Sequence, residues 1–573
     1  MASAAAQPFL QLDQSRAGRA QRFCDFLTEA AIYFMVVFSP WAFGATEPWS
    51  IWTLNGVGFL LGLLLLVKHG LRWATGRPAA RWGTVRPSKK GLPEFDESLA
   101  LTAPAPFSRK RAKALLFVTR FAAVLTALAL VYSFVSAANA RATYRGWHLF
   151  TYHSGISWLP RSYDSNASWF WFWSAVGLAC FFWATRDWLL EKTRAERMEG
   201  EQTGESVMGM FFPEQAGFGR RRDDVSALGL PSIEPSGSLA PAVPLGDIAK
   251  SRLAVPARPF PVRLRRLLWV LCLNASLLAL EAILQRLDGT NKLLWLVQPR
   301  LNHNAEMQFG PYAYRANAAQ YLNLVWPACL GFWLVLRNDS RDRTGKVPRI
   351  GAGKHLLLLP GAVLMAAGPI IATTRGGAII SLLEMLAATG ILLFAFRRSD
   401  HLTRIGVLGL LAVMLAFSGI LGWSQLSKNF ETLLSDQMSR RPEIYEDAEK
   451  ITRDFPLFGT GPGSFGAMYQ MYRSTPSRVW AGYAHDDWLE TRINFGWLGF
   501  ALFLALLAAV LARWFLPGGG ISVGASFPAM IWVALAGCLL HAKFDFPFQI
   551  YSIELVFLLL CAMAFSLARR SPA

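Results

Sequence analysis

The chain has 573 residues, 53% of them apolar, and a formal net charge of +19. Mean hydropathy is +0.30, and several apolar runs exceed the ~18 residues that mark a transmembrane helix. This excludes a single soluble domain. It also assigns the positive charge to loops on one side of a membrane, with no nucleic-acid partner. The six cysteines, at 24, 180, 272, 329, 538 and 561, are scattered and mostly lie within apolar runs, which argues against a disulfide framework or a zinc site.

Arg16, Arg19 and Arg22 precede the first apolar run, which opens near Thr28. Its late start and the many runs behind it make it an uncleaved first helix rather than a signal peptide. About twelve spans are predicted by run length: 28–45, 51–68, 113–136, 168–187, 266–285, 318–336, 355–373, 376–396, 405–424, 488–514, 525–541 and 549–567. The basic stretches "RPSKK", "SRKRAK", "GRRR", "RLRR", "RNDSRDRTGK" and "FRRSDHLTR" fall in alternate loops. The bias of Lys and Arg toward the cytoplasm then puts both termini inside. The expected fold is an all-α polytopic membrane protein. Its cytoplasmic tail is 1–27, its first four helices occupy 28–187 with a cytoplasmic loop at 76–108, and 188–265 is a second cytoplasmic loop. Helices five to nine fill 266–424, one long helical loop spans 425–485 on the outer side, and the last three helices lie in 486–573. Both cytoplasmic loops are rich in Gly, Pro, Ser and charge and read as largely disordered.

The unusual residues gather outside. Arg375 in "TTRGG" lies between two spans, where an arginine either snorkels to the interface or lines an anion-binding pocket; the neighbouring glycines and threonines favour the pocket. Arg440 and Arg441 open an amphipathic helix with Ile444, Ala448 and Ile451 on one face. A cation there opposes the helix dipole, so it pairs with Glu443 or Asp447 or takes an external anion. "GTGPGSFG" at 459–466 lacks the Lys-Ser/Thr ending of a nucleotide loop and reads as a tight turn. His485 heads the tenth span, with Leu489, Arg492 and Gly496 following at helical spacing. A neutral imidazole there can take a proton from a sugar hydroxyl, and Asp486 and Asp487 can serve as caps. His541, Lys543 and Asp545 in the last outer loop either pair among themselves or support the same cavity. Gly496 and Gly499 suit close helix packing. Glu281, Glu384 and Glu554 lie inside spans and need partners. Arginines, a histidine and carboxylates at one surface, with no nucleotide site, point to a lipid-diphosphate donor bound by bidentate guanidinium contacts.

The order of motifs from 310 to 548 resembles the O-antigen ligase and O-antigen polymerase superfamily. "GPYAYRANAAQYLNLVWP", "TTRGG", "RRPEIYEDAEKITRDFPLFGTGPGSF", "AHDDWLETRINFGWLGF" and "HAKFDFPFQ" are similar to its segments, in its order. Asp486 departs from it, since many relatives carry asparagine there. The resemblance implies transfer of a glycan from undecaprenyl diphosphate to an acceptor hydroxyl at the periplasmic face, with inversion and with neither metal nor cofactor. The acceptor is a glycan, a lipid A core or a protein. Carried over, Arg375 and Arg441, with Arg440 as the ambiguous neighbour, hold the diphosphate. His485 orients or deprotonates the acceptor, and Asp486 assists. Arg315, Asn317, Arg492, His541 and Asp545 are expected in supporting positions. A repeat-unit polymerase is the alternative within the superfamily. A transporter of lipid-linked glycans is the alternative outside it, disfavoured because transporters keep their polar residues near the bilayer midplane.

Overall fold

α1 (Gln14–Trp41) and α2 (Pro48–Thr75) form an antiparallel pair, and α3 (Arg109–Ala138), α4 (Ser165–Leu190) and α5 (Val262–Asp288) follow. Next come α6 (Arg315–Thr344), α7 (Leu358–Ile371), α8 (Arg375–Ala395) and α9 (His401–Glu431). Two short helices, α10 (Arg441–Asp454) and α11 (Phe465–Tyr472), precede α12 (Asp487–Ala512), α13 (Ser526–His541) and α14 (Tyr551–Ser566). This computed structural model describes residues 14–76, 79–82, 109–146, 149–198, 260–344, 353–431, 441–475, 481–516 and 520–569. Most of the two loops expected to be disordered, and Arg440, lie outside them.

Among the described residues nine helices are long and apolar enough to cross a membrane, and three shorter apolar helices lie at His355–Ile371, Ser526–His541 and Tyr551–Ser566. The protein is an all-α polytopic membrane protein. α1 starts at Gln14, well before Thr28, because hydropathy registers only the part of a helix that meets lipid. A short antiparallel hairpin, β1 (Ala142–Gly146) with β2 (Leu149–Tyr152), was not expected. A parallel pair, β3 (Ile521–Val523) with β4 (Leu567–Arg569), ties the chain after α12 to the end of α14.

α6 is the hub. It packs against α5, α7, α8, α13 and α14, and Leu324, Val325, Ala328 and Cys329 are fully buried. α3 and α9 lie at the edge, and their exposed faces carry Phe117, Val124, Leu128, Val413 and Ile420. Such faces belong against lipid tails, which are as apolar as the side chains. α2 and α4 cross at Gly58 and Gly177, where a Cβ on Gly58 would lie 2.6 Å from the Gly177 carbonyl oxygen.

α4 runs from one face of the protein to the other. Near its start, Tyr163 N donates to Thr460 O at 2.9 Å, beside the segment that leads to His485. At its far end Asp187 and Glu191 enter a buried ion-pair network. Lys68 contacts Asp25 at 2.6 Å, Glu191 at 3.1 Å and Asp187 at 3.4 Å. Arg72 reaches both Asp187 and Glu191, and Arg263 reaches both Asp25 and Glu191. Arg81 pairs with Asp187. Four basic side chains thus share three carboxylates, one from α1 and two from the end of α4.

α12 is broken at Gly496 (φ 58°, ψ −170°). Ile493 O accepts from Thr460 N at 2.8 Å, and Asn494 O accepts from Gly461 N at 2.9 Å. Tyr132 Oη lies 2.8 Å from Phe458 O and 2.9 Å from Phe495 O, and Trp497 N donates to Pro456 O at 2.9 Å. The backbone groups freed by the break are therefore taken by the "PLFGTG" turn, as burial in hydrocarbon demands. Gly496 is a helix break, not the packing site expected of it. A Cβ there would sit 2.3 Å from Leu457 O. Gly496→Ala is therefore expected to cost more than the ~1–3 kcal/mol of the backbone strain alone. Thermal unfolding of the detergent-purified protein checks it; an unchanged midpoint would mean that the turn does not hold the break.

Candidate active site

Three helix starts and one hairpin converge on the face that carries His485. α6 begins at Arg315, α8 at Arg375 and α10 at Arg441. The hairpin is the turn 541–548 between α13 and α14.

His485 sits in the turn before α12 with a left-handed backbone (φ 54°), uncommon for a residue with a side chain and often found at functional sites. Tyr445 Oη donates to its carbonyl at 3.0 Å. Its ring Nδ1 is 3.1 Å from Asp545 Oδ1, and its side chain is 26% exposed while Asp545 is 5% exposed. With Nδ1–H donating to that carboxylate, the neutral ring keeps its lone pair on Nε2. The ring also meets Phe546 edge-on at 4.9 Å. Phe546 is stacked on Tyr483 (4.5 Å) and on Tyr314 (5.6 Å). This aromatic set fixes the hairpin and with it Asp545.

Asp486 is engaged elsewhere. Its Oδ1 accepts from Trp488 N and Leu489 N at 3.1 Å each, capping α12, and its Oδ2 pairs with Lys543. It was expected to assist His485; its oxygens instead hold the helix start and the hairpin, and Asp545 is the carboxylate on the imidazole. Asp487 is likewise structural, accepting from Phe548 N at 2.8 Å and Gln549 Nε2 at 3.0 Å.

Arg441 and Arg315 flank Tyr314, and Arg375 lies near Arg315. Arg441 Nη1 donates to Phe544 O at 2.7 Å, next to Asp545. Arg315 uses Nη1 for both Glu306 O and Thr373 Oγ1, at 2.9 Å each. Arg375 Nε donates to Asn429 O, and the Arg375 charge repels that of Arg315. Tyr314 feels Asp545, Arg441 and Arg315 together, and burial is the main reason its hydroxyl is held well above the ordinary tyrosine range. Burial, then Glu490 and Asp487, push Tyr483 up to about 12. Burial also raises Tyr445, with Asp486 and Asp545 adding to it. All three hydroxyls stay protonated and can donate hydrogen bonds at neutral pH.

Asn317 lies in the first turn of α6, 3% exposed, and its side-chain oxygen has no partner among the described residues. His541 ends α13, buried, with Nε2 3.5 Å from Gln320 Nε2. Arg492 stands apart, stacked over Trp497 at 4.3 Å. Trp497 is half exposed, so that pair lies on the lipid-facing side of α12 rather than against the hairpin. Asp447, weighed as a partner for the paired arginines, instead binds Lys450 and Ser474, and these bonds outweigh its burial to hold its carboxyl below the usual range.

Sequence reasoning missed Arg286. At the end of α5 it donates to Ala305 O (3.1 Å) and Ala372 O (3.3 Å), the residue before Thr373. An arginine in the last turn of a helix has an ordinary explanation in the dipole, so nothing in the sequence marked it. The stacking trio Tyr314, Tyr483 and Phe546 was also missed; two of its members lie within two residues of Arg315 and His485, which was the available signal.

Positive charge, an imidazole paired with a carboxylate and aromatic rings thus gather at one face of a polytopic helical membrane protein. The family model of O-antigen ligase matches residues 360–504. That stretch, about a quarter of the chain, is similar to the O-antigen ligase family, and it supports the resemblance to the O-antigen ligase superfamily of membrane glycan ligases and polymerases. It contains Arg375, Arg441, His485 and the Gly496 break, whereas Arg315, Asn317, His541 and Asp545 lie outside it. The family implies a bacterial membrane setting and a lipid-linked glycan. Among curated proteins, none matches the chain.

Proposed function

We propose that the protein transfers a glycan from undecaprenyl diphosphate to an acceptor hydroxyl at the periplasmic face of the bacterial inner membrane, without a metal. The observation that carries the reading is the His485–Asp545 pair set beside Arg315, Arg375 and Arg441 on one face. His485 Nε2 takes the proton of the acceptor hydroxyl as its oxygen attacks the anomeric carbon. The bond from that carbon to the diphosphate oxygen breaks on the opposite side, so the configuration inverts. Arginines are well suited to the charge that gathers on the departing diphosphate, since fixed donors need no reorganisation. Asp545 stabilises the imidazolium until the proton is lost.

The test is transfer in proteoliposomes with purified undecaprenyl-diphosphate glycan. Wild type is expected to release lipid diphosphate, and Arg375→Ala and Arg441→Ala to fold but lose transfer by about 10²–10³-fold. The acceptor found in the product separates ligation from repeat-unit polymerisation. Movement of the lipid across the bilayer with no bond made would replace this reading with transport.

A further inference from the structure

A narrow cavity of about 280 Å³ lies between α3, α4, α12 and α14. Its walls are apolar, with Trp171, Phe182, Phe503, Leu507 and Leu558 among them, and on α12 they run from Asp487 to Val510. The wall therefore follows α12 on both sides of its break at Gly496, along most of the span. So small a volume over that length fits one hydrocarbon chain and not a globular ligand.

Its two ends differ in charge. At the His485 face the wall includes Asp487, with Glu490 close enough to repel it. Beyond the opposite end lie Arg186 and Arg513, each three residues past a lining residue, Trp183 and Val510, and near enough to repel one another. Arg186 rests against the rings of Trp183 (5.6 Å) and Phe565 (4.9 Å). Its Nη2 donates to Thr119 Oγ1 at 3.2 Å, and its Nε is buried with no partner among the described residues. The nearby carboxylates Asp25, Asp187 and Glu191 are already shared among Lys68, Arg72, Arg81 and Arg263. Arg186 thus bonds a hydroxyl and rests on two rings, and the attraction of Asp187 is opposed by the repulsion of Arg81 and Arg513. Arg513, 2% exposed, donates to Leu516 O.

We propose that this groove seats one acyl chain of an acidic glycerophospholipid, with its phosphate on Arg186 in the leaflet opposite to His485, where the Arg513 charge adds to the attraction. Guanidinium groups recognise phosphate through paired N–H donors, and basic pockets between membrane helices suit anionic headgroups. The charge order of the groove decides the direction. A phosphate at the Asp487 end would meet two carboxyl groups and no cation from the groove, whereas at the Arg186 end it meets positive charge. The polyprenyl donor is a poor occupant on the same ground, because its diphosphate would have to lie at the Asp487 end. The inference stands without the transfer reading, since it uses other residues on the other face.

The test uses the full chain, delipidated in detergent, with thermal unfolding followed on adding dioleoyl-phosphatidylglycerol, dioleoyl-phosphatidylcholine or undecaprenyl phosphate. Phosphatidylglycerol is expected to raise the wild-type midpoint by several degrees, as a ligand of the folded state does; the other two are expected to leave it unmoved. Arg186→Gln should abolish the rise, and Leu507→Trp, which fills the groove without touching the charges, should abolish it too. If Arg186→Gln proves too unstable to scan, native mass spectrometry of wild type and Leu507→Trp reads the same loss as bound lipid. Equal stabilisation by phosphatidylcholine, or a full response in either variant, overturns the proposal. So does stabilisation by undecaprenyl phosphate alone, which would give the groove to a polyprenyl chain.

Discussion

His485→Ala is expected to lower glycan transfer by about 10²–10⁴-fold, the range supplied by a positioned general base. The reason lies in what the ring does and in what it does not hold together. Its imidazole is linked to Asp545 and edges against Phe546, but Phe546 is also stacked on Tyr314 and Tyr483. The hairpin is further tied by Lys543 to Asp486 and by Ala542 O to Asp487 N. Loss of the ring therefore leaves the arginines and the hairpin in place. Donor binding should survive while turnover falls, and that split separates a lost base from a lost fold. Asp545→Asn is the companion. An asparagine can donate to Nδ1 as well as accept from it, which frees the ring to adopt the tautomer with its proton on Nε2; a fall of about tenfold or more is expected. Both variants should be assayed for single-turnover release of lipid diphosphate at saturating donor. A wild-type rate in His485→Ala would remove the base from the mechanism.

The second large effect lies at the other end of the protein. Glu191 is fully buried and accepts from Lys68 (3.1 Å), Arg72 (2.6 Å) and Arg263 (3.3 Å). Its removal leaves four cations, Lys68, Arg72, Arg81 and Arg263, facing two carboxylates. Breaking a buried ion pair by deleting one partner costs about 3–5 kcal/mol, because the charge left behind is uncompensated. Glu191→Ala is expected to lose that much stability, read as the unfolding midpoint in detergent and as the amount of folded protein recovered from membranes. Lys68→Met in the same background should recover part of it by removing one stranded charge. If Glu191→Ala unfolds like wild type, water reaches the network and the pairs there are weak. The network joins α1, α2, α4 and α5, so its failure should loosen the helices behind the site rather than the site itself.

The spans were legible because hydropathy needs only a local run, and the lipid-facing residues of α3 and α9 supply it without help from the fold. The gathering of Arg375, Arg441 and His485 on one face was legible too, since alternation of basic loops sets the side of every loop between. What stayed hidden depends on distance along the chain. Asp545 lies sixty residues from His485, and nothing local distinguishes it from Asp486, which is adjacent yet turned to the helix cap. Gly496 was misread for a related reason. A glycine that lets helices pack and a glycine that lets a helix break look alike until Pro456 and Thr460 are seen against it. The hairpin β1–β2 was obscured by its shortness, although Tyr144, Phe150 and Tyr152 alternate as a strand requires.

The Gly496 break also determines how the loop before it can behave. Pro456, Phe458, Thr460 and Gly461 are each fastened to α12 or to Tyr132, at successive points on both sides of the interruption. One residue added to or taken from that stretch would put every fastening out of step at once. Length variation here is therefore far less tolerable than in an ordinary surface connection. The segment acts as a keystone between the extramembrane helices and the bundle, so that α10 and α11 must ride with α12 whenever α12 moves.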